Sequence, residues 1–598
     1  MRLKRIICAL AFMCLVVLGQ SAQAAAYKNF RAAIYIPVNS TKRLADPAVF
    51  AREFARVSSQ LKFDKVYIEA YRDRAFATDA ELEAVKRQFQ AKDIQTSGGV
   101  TLAAGGWPGG QFGTFDYENP ADRAECERAS HLAARHFDEV ILDDFFFYTM
   151  KSDADIAAKG NRSWTEYRLA KMLEASHALV LGPAKQENPR VRVIIKYPNW
   201  YEHFHGLGYD LADEAHMFDA IYTGTETRDP VITDQLLQQY ESYAIIRYFS
   251  NIRPGANLGG WVDTYSIRSI DRYAEQLWDT LFAKAPEQTL FEWSAMASDR
   301  PAVAGTRPWA KQKTSFDWDT IAKGRPNAGW ASAANEALQI ADGVLGELGN
   351  PVGIASYRPP HATGEDFLHN YIGNLGVPIE LFPQYPAQAR TILLTQAAAT
   401  DPQIIAKIDA SLHSGANVII TSGFLEATQD KGFQQLAEWR TTGHTIAIDR
   451  YFDGFGAGNG TELKEVGKTR PVLFPEVRFY TNDSWGIIRG VAAAKGFPIL
   501  LMNHYSKGTI YLWTMPENFG DLYSLPRPMM TRIKDYLFAD APVRIDAPDH
   551  VALFTYDNGA FIVENYRDDA ATVRIARMGR KATETASIPA HSFRLFRR

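Results

Sequence analysis

The first half of the chain alternates short apolar runs with longer amphipathic stretches. Residues 32–38, 65–70, 95–103, 139–147, 191–197, 217–225, 243–249 and 289–295 read as eight strands. Runs such as Val140-Ile141-Leu142 and Val193-Ile194-Ile195 suit parallel strands buried on both faces. Residues 47–61, 121–136, 165–180 and 266–283 repeat apolar positions at helical spacing between them. Eight such units predict a (β/α)8 barrel over 27–349, with a doubly wound sheet as the alternative.

The rhythm changes near Gly349. Residues 351–357, 377–382, 389–396, 417–422 and 445–448 read as strands, with helices at 365–375 and 402–415 between them. A smaller α/β domain of flavodoxin-like type is expected over 350–542. Residues 471–480, 486–492 and 508–515 add β structure, and 526–538 reads as a helix. From 543 to 598 apolar and polar residues alternate around the turn Asp557-Asn558-Gly559, which predicts a hairpin and a small antiparallel β-sandwich. The overall class is α/β with three domains.

The N-terminus is of another kind. Arg2, Lys4 and Arg5 precede an apolar run over 6–18, and Ala22-Gln23-Ala24 follows. This predicts a secretory signal over 1–24, hence a periplasmic or secreted protein with no membrane segment after cleavage. Cys8 and Cys14 would leave with it, and Cys126 alone cannot form an internal disulfide. The formal net charge of −4, without clustered Lys or Arg, argues against a nucleic-acid partner. Aromatic residues make up 12% of the chain, a proportion that suits sugar-stacking platforms and a large core equally well.

In barrels the chemistry lies at the C-terminal ends of the strands. Strand four ends Leu142-Asp143-Asp144-Phe145, and two adjacent carboxylates there are expensive to bury without a purpose. Alternation would point one to the axis and one to the wall. Glu226 lies just past strand six, where it serves as an acid/base or pairs with Arg228. Other polar and aromatic groups are expected at the same end as substrate contacts. Glu69 and Arg72 follow strand two, and Lys196 ends strand five with Trp200 and His203 beyond it. Arg247 falls within the expected strand seven, Trp261 and Asp263 in the loop after it, and Glu292 at the end of strand eight. Carboxylates that bond hydroxyls and rings that stack make a carbohydrate subsite. Two carboxyls give glycoside hydrolysis, with Asp143 or Asp144 as nucleophile and Glu226 as acid/base in a retaining reaction. No cofactor is called for. The His203-Phe204-His205 pair with His216 nearby leaves a metal-dependent hydrolase as one alternative, and a non-catalytic carbohydrate-binding barrel is another.

The domain order resembles that of family 42 β-galactosidases, in which a sugar-cleaving barrel precedes a glutamine-amidotransferase-like domain and a small β-sandwich. That resemblance implies a glycosidase; the middle domain carries no nucleophile elbow at Ser422-Gly423-Phe424 and is expected to bind a ligand or to form a homo-oligomer. The resemblance does not extend to motifs. That family carries Asn-Glu at the end of strand four and Glu after strand seven, where this chain has Asp143-Asp144 and Asp263. An Asp on strand four with a carboxyl on strand six is similar instead to retaining α-glycosidase barrels of the α-galactosidase and α-fucosidase groups. The segments LDDFFF, KYPNWYEHFHG, TGTETRDP and GGWVD look like those of a group of secreted bacterial barrel proteins, a likeness that brings no substrate with it.

Overall fold

A computed structural model describes residues 25–598, apart from 107–112, 232, 234, 236, 268, 299–322, 324–328, 455–459, 469 and 494. The expected signal over 1–24 lies outside the described residues.

Eight parallel strands close on themselves: β1 Arg31–Ile36, β2 Lys65–Arg72, β3 Gln95–Val100, β4 Glu139–Leu142, β5 Arg192–Tyr197, β6 Ala220–Gly224, β7 Asn257–Val262 and β8 Glu287–Phe291. Each pairs with the next, and β1 pairs with both β2 and β8. The outer helices are α1 Pro47–Ser58, α2 Asp79–Gln90, α3 Pro120–His136, α4 Trp164–Ala175, α5 Glu241–Ile252, α6 Ile270–Phe282 and α7 Trp330–Leu345. Only short helical turns follow β5.

The lumen is packed with large rings set against glycines. Tyr35, Tyr67, Tyr222 and Trp261 fill it with Ile141 and Ile194. A side chain at position 99 would begin 2.6 Å from the Tyr35 hydroxyl, and one at 259 would begin 2.4 Å from that of Tyr222. Below them Lys65 is buried between Glu139, at 2.5 Å, and Glu287, at 3.4 Å, closing the N-terminal end.

One expected strand is a helix. Residues 243–249 lie within α5, and the seventh strand is β7. Helix α5 is buried on almost every side, between the barrel and the middle domain; its polar face is limited to Arg247, Ser250 and Asn251, so the run over 243–249 holds a single polar residue and reads as a strand. β7 reads poorly as a strand because Gly259 and Gly260 interrupt it. Tyr222 and Thr280 crowd those positions and leave no room for side chains.

The middle domain has five parallel strands in the order Ile379–Phe382, Ile354–Tyr357, Thr391–Leu394, Asn417–Thr421 and Gly508–Trp513. This is the 2-1-3-4-5 order of flavodoxin-like sheets. Antiparallel strands extend it through Lys495–Tyr505, a strand the sequence pattern does not reveal, Trp485–Ala492 and Arg450–Asp453. The C-terminal domain stacks two antiparallel sheets. Val551, Leu553, Phe561 and Val563 on one face Ile545, Val573, Ile575 and Ile588 on the other.

Candidate active site

The β4 strand stops at Leu142, and the Asp143 amide makes one further bond, to the Val100 carbonyl at 2.9 Å. Asp143 and Asp144 are therefore loop residues, and strand alternation no longer separates them. Both reach the same cation. Lys196, near the end of β5, is 2% exposed. Its ammonium donates to Asp144 Oδ2 at 2.6 Å, Glu226 Oε1 at 3.1 Å and Asp143 Oδ1 at 3.3 Å. The face of Trp261 lies 4.5 Å below it. Three strand ends thus meet on one buried ammonium.

Glu226 sits two residues beyond β6. Its carboxylate folds back over the strand end, and a side chain at Gly224 would begin 2.7 Å from Oε2, so only glycine leaves space. That oxygen is sealed from solvent and has no partner. The pairing of Glu226 with Arg228 foreseen as one option does not form; Arg228 binds Asp263 at 2.6 Å instead, from a left-handed backbone conformation (φ 57°).

The three carboxyls differ in charge state. Asp143 is buried, yet Lys196 and Arg72 outweigh the burial and hold it below the usual carboxylate range. Its oxygens are fully engaged, Oδ1 by Lys196 and the Asp144 amide, Oδ2 by Arg72 at 2.8 Å and Thr101 at 3.2 Å. Burial pushes Asp144 up to about 6; Lys196 opposes this and the neighbouring Asp143 charge adds to it. Among the described residues, its carboxylate bonds only Lys196, through one oxygen. Burial lifts Glu226 to about 7, against Lys196 and with help from Asp144 and Asp263. Burial lowers Lys196, but its three carboxylate partners more than offset that and keep it charged.

The other expected substrate contacts divide. Glu69 is fully buried; Tyr35, Thr101, the Val38 amide and Arg72 occupy its carboxylate, so it orients Arg72 and leaves nothing for a ligand. Arg72 joins Glu69 to Asp143 beside the rings of Phe145 and Phe291. Trp261 belongs to β7 and is 2% exposed beneath Tyr35, Phe291 and Lys196, so it is a floor and not an open platform. Asp263 is held by Arg228. Glu292 is half-buried within the field of Arg72, and burial raises it. Trp200 packs on Phe147, Phe204 and Tyr209. His203 is exposed, beside Phe367 of the middle domain. Arg247 is misplaced by the strand-seven reading: on α5 it faces outward and pairs with Glu380 of the middle domain at 2.6 Å.

Several participants carry no sequence signal of their own. Tyr35 and Thr101 hold Glu69. The Asn199 amide donates to the Glu226 backbone carbonyl, and the Tyr209 hydroxyl to that of Asp144. Tyr265 is 54% exposed and lies beside Phe291. No group of three or more His, Cys, Asp or Glu able to hold a metal ion occurs among the described residues, and His205 is buried near the Glu202 carbonyl.

Comparison with known proteins bears on the family and the fold. The family described as the catalytic domain of probable glycosyl hydrolases matches residues 19–350. The second domain of the uncharacterized protein SSO3021 matches 349–518, and the C-terminal domain of probable glycosyl hydrolases matches 542–584. SSO3021 itself, from Saccharolobus solfataricus, is 26% identical over 297 residues, which are 44% of this chain and 49% of that protein. The chain thus spans about half the length of this curated relative. A cold-adapted β-galactosidase from Rahnella sp. R3 has a similar structure, with TM-score 0.61 and 10% identity over 96% of this chain and 99% of that one. α-L-Fucosidase isoenzyme 2 from Paenibacillus thiaminolyticus follows with TM-score 0.58 and 8% identity over 95% and 98%. These two likenesses are of fold. The match over more than half of the chain places it, barrel and strand ends included, in the family of probable glycosyl hydrolases.

Proposed function

We propose that the barrel hydrolyses glycosidic bonds of oligo- or polysaccharides with retention, using Asp144 as nucleophile and Glu226 as acid/base. The supporting observation is that Lys196 bonds both carboxyls, which holds their nearest oxygens within about 6 Å, compatible with the ~5–5.5 Å of retaining pairs. The charge states divide the labour. Glu226, near 7, keeps a proton to deliver to the leaving oxygen as the C–O bond breaks. Asp144, lower and with one oxygen uncommitted, attacks the anomeric carbon to form a glycosyl ester. Glu226, now a carboxylate, takes a proton from water, which attacks that carbon and releases Asp144. Asp143 stays an anion, fixed between Arg72 and Lys196.

The test uses aryl glycosides found active in a panel screen. Glu226→Gln should lose far more activity on poor leaving groups than on good ones, because only the former need the proton. Equal loss on both removes Glu226 from the acid role. The segment 1–24 supports a further proposal, that the enzyme acts after export.

A further inference from the structure

We propose that the middle domain positions the catalytic carboxyls, through Arg358 and the loop that follows β5; this rests on the glycosidase reading above. The loop is a natural control point. It supplies Asn199, which bonds the Glu226 carbonyl, and Tyr209, which bonds the Asp144 carbonyl. These two bonds fix the backbone beneath both reacting carboxyls. The loop contains only short helical turns; from the barrel, α4 packs on it at Gly208, where a side chain would begin 2.4 Å from Met172, and α5 at Tyr201, whose ring lies 5.9 Å from that of Phe249.

The charged contacts come from the other domain. Arg358 follows the middle-domain strand Ile354–Tyr357 and is 2% exposed. Its guanidinium lies 2.7 Å from Glu202 and 3.3 Å from Asp366, and it donates to the Ala362 carbonyl at 2.8 Å. His361 adds a contact with Asp210 at 3.1 Å, and its amide donates to the Tyr201 hydroxyl. The start and the middle of the β5 loop are therefore held from residues 358–361.

The holding segment is itself braced. His361, Glu365 and Phe367 all adopt left-handed backbone conformations (φ 61°, 51° and 63°), which ordinary side chains disfavour and which persist only where surrounding bonds enforce them. Glu365 provides that enforcement. Its carboxylate accepts from the Gln396 amide at 2.7 Å, the Gly423 amide at 3.1 Å and the Thr421 hydroxyl. Those groups stand at the carboxyl ends of the parallel strands, the edge at which doubly wound sheets ordinarily receive ligands. In this chain its own Glu365 fills that edge, and the loop so anchored reaches across to the barrel. Arg358 and Glu365 touch no reacting atom; they are positioning residues.

The decisive variant is the double substitution Glu202→Gln with Arg358→Met, which removes both charges of the pair and leaves neither buried alone. Hydrogen–deuterium exchange should accelerate about tenfold or more in residues 198–210 while β1 and β2 stay protected. The kcat should fall by about 10- to 100-fold, with KM changed less than about threefold, as expected when a correctly built site is misaligned. Arg358→Lys should recover part of the loss. Unchanged exchange in 198–210, or a rise shared by every barrel strand, overturns the proposal. The exchange readout decides the positioning role even if no glycoside is cleaved, so failure of the glycosidase reading would be recognised separately.

Discussion

Replacing Lys196 by methionine shortens the side chain by the terminal atom and removes the charge that three carboxyls share. Each ammonium–carboxylate contact near 3 Å carries roughly 5 kcal/mol of attraction at an effective dielectric of about 20. Desolvation offsets much of that, and breaking a buried pair costs a net ~3–5 kcal/mol. Protonation gives the variant an escape. Asp144 near 6 and Glu226 near 7 can each take a proton, at about 1.4 kcal/mol per pH unit above those values. At pH 6 the escape costs under about 1 kcal/mol, whereas at pH 8 it costs about 4 kcal/mol. The sign follows from proton counting. The folded variant holds protons that the unfolded chain has already lost, so its stability falls as pH rises through 6 to 8. Urea unfolding at pH 6 and pH 8, followed by tryptophan fluorescence, measures the difference from wild type. The acid limb of kcat/KM should also move upward by about 2 units or more, because Asp144 has lost its cation. A deficit of the same size at both pH values would refute the shared-ammonium account, as would an unmoved acid limb.

Two further predictions concern buried carboxyls away from the site. Glu214 is fully buried between Ser176 and Tyr197, and burial raises it from 4.5 to about 8. It keeps a proton that the unfolded chain releases, so it should remove about 1.4 kcal/mol of stability per pH unit across that window. Glu214→Gln should flatten the fall by about one proton in a denaturation series from pH 5 to 8, and an unchanged slope would count against it. At the junction of α6 with the C-terminal domain, Asp279 faces Glu564, and burial holds both well above the normal range; Asp279 raises Glu564 further, whereas hydrogen bonds from Glu564 and Tyr566 oppose the rise at Asp279. Burial disfavours their charged forms when docked, so rising pH favours release of that domain. Glu564→Gln should delay its alkaline release, measured as susceptibility to limited proteolysis at pH 7 and pH 9.

Most of the barrel was legible because strands such as β1, β4 and β5 are buried and read as apolar runs. The exception has a physical cause. Tyr222 needs space in the lumen, so β7 carries glycines where a strand would show branched residues. Its neighbour α5, buried between two domains, looked like the strand it displaced, and Arg247 was misassigned with it. The acidic ends of β4 and β6 stood out because carboxylates after apolar runs are costly. Their division of roles did not, because it depends on which oxygens Arg72, Thr101 and Lys196 occupy across four strands. Asn199 and Tyr209 were invisible for a related reason: a loop residue that bonds a distant carbonyl leaves no pattern along the chain.

The central claim is that Asp144, and not Asp143, attacks the sugar. The most direct measurement is peptide mapping by mass spectrometry after a mechanism-based fluoroglycoside, matched to the sugar found in the panel screen, has trapped the glycosyl ester. The account predicts one sugar adduct, on Asp144, lost in Asp144→Asn and retained in Asp143→Asn if that variant still turns over. An adduct on Asp143, or turnover with inversion and no adduct, would contradict it.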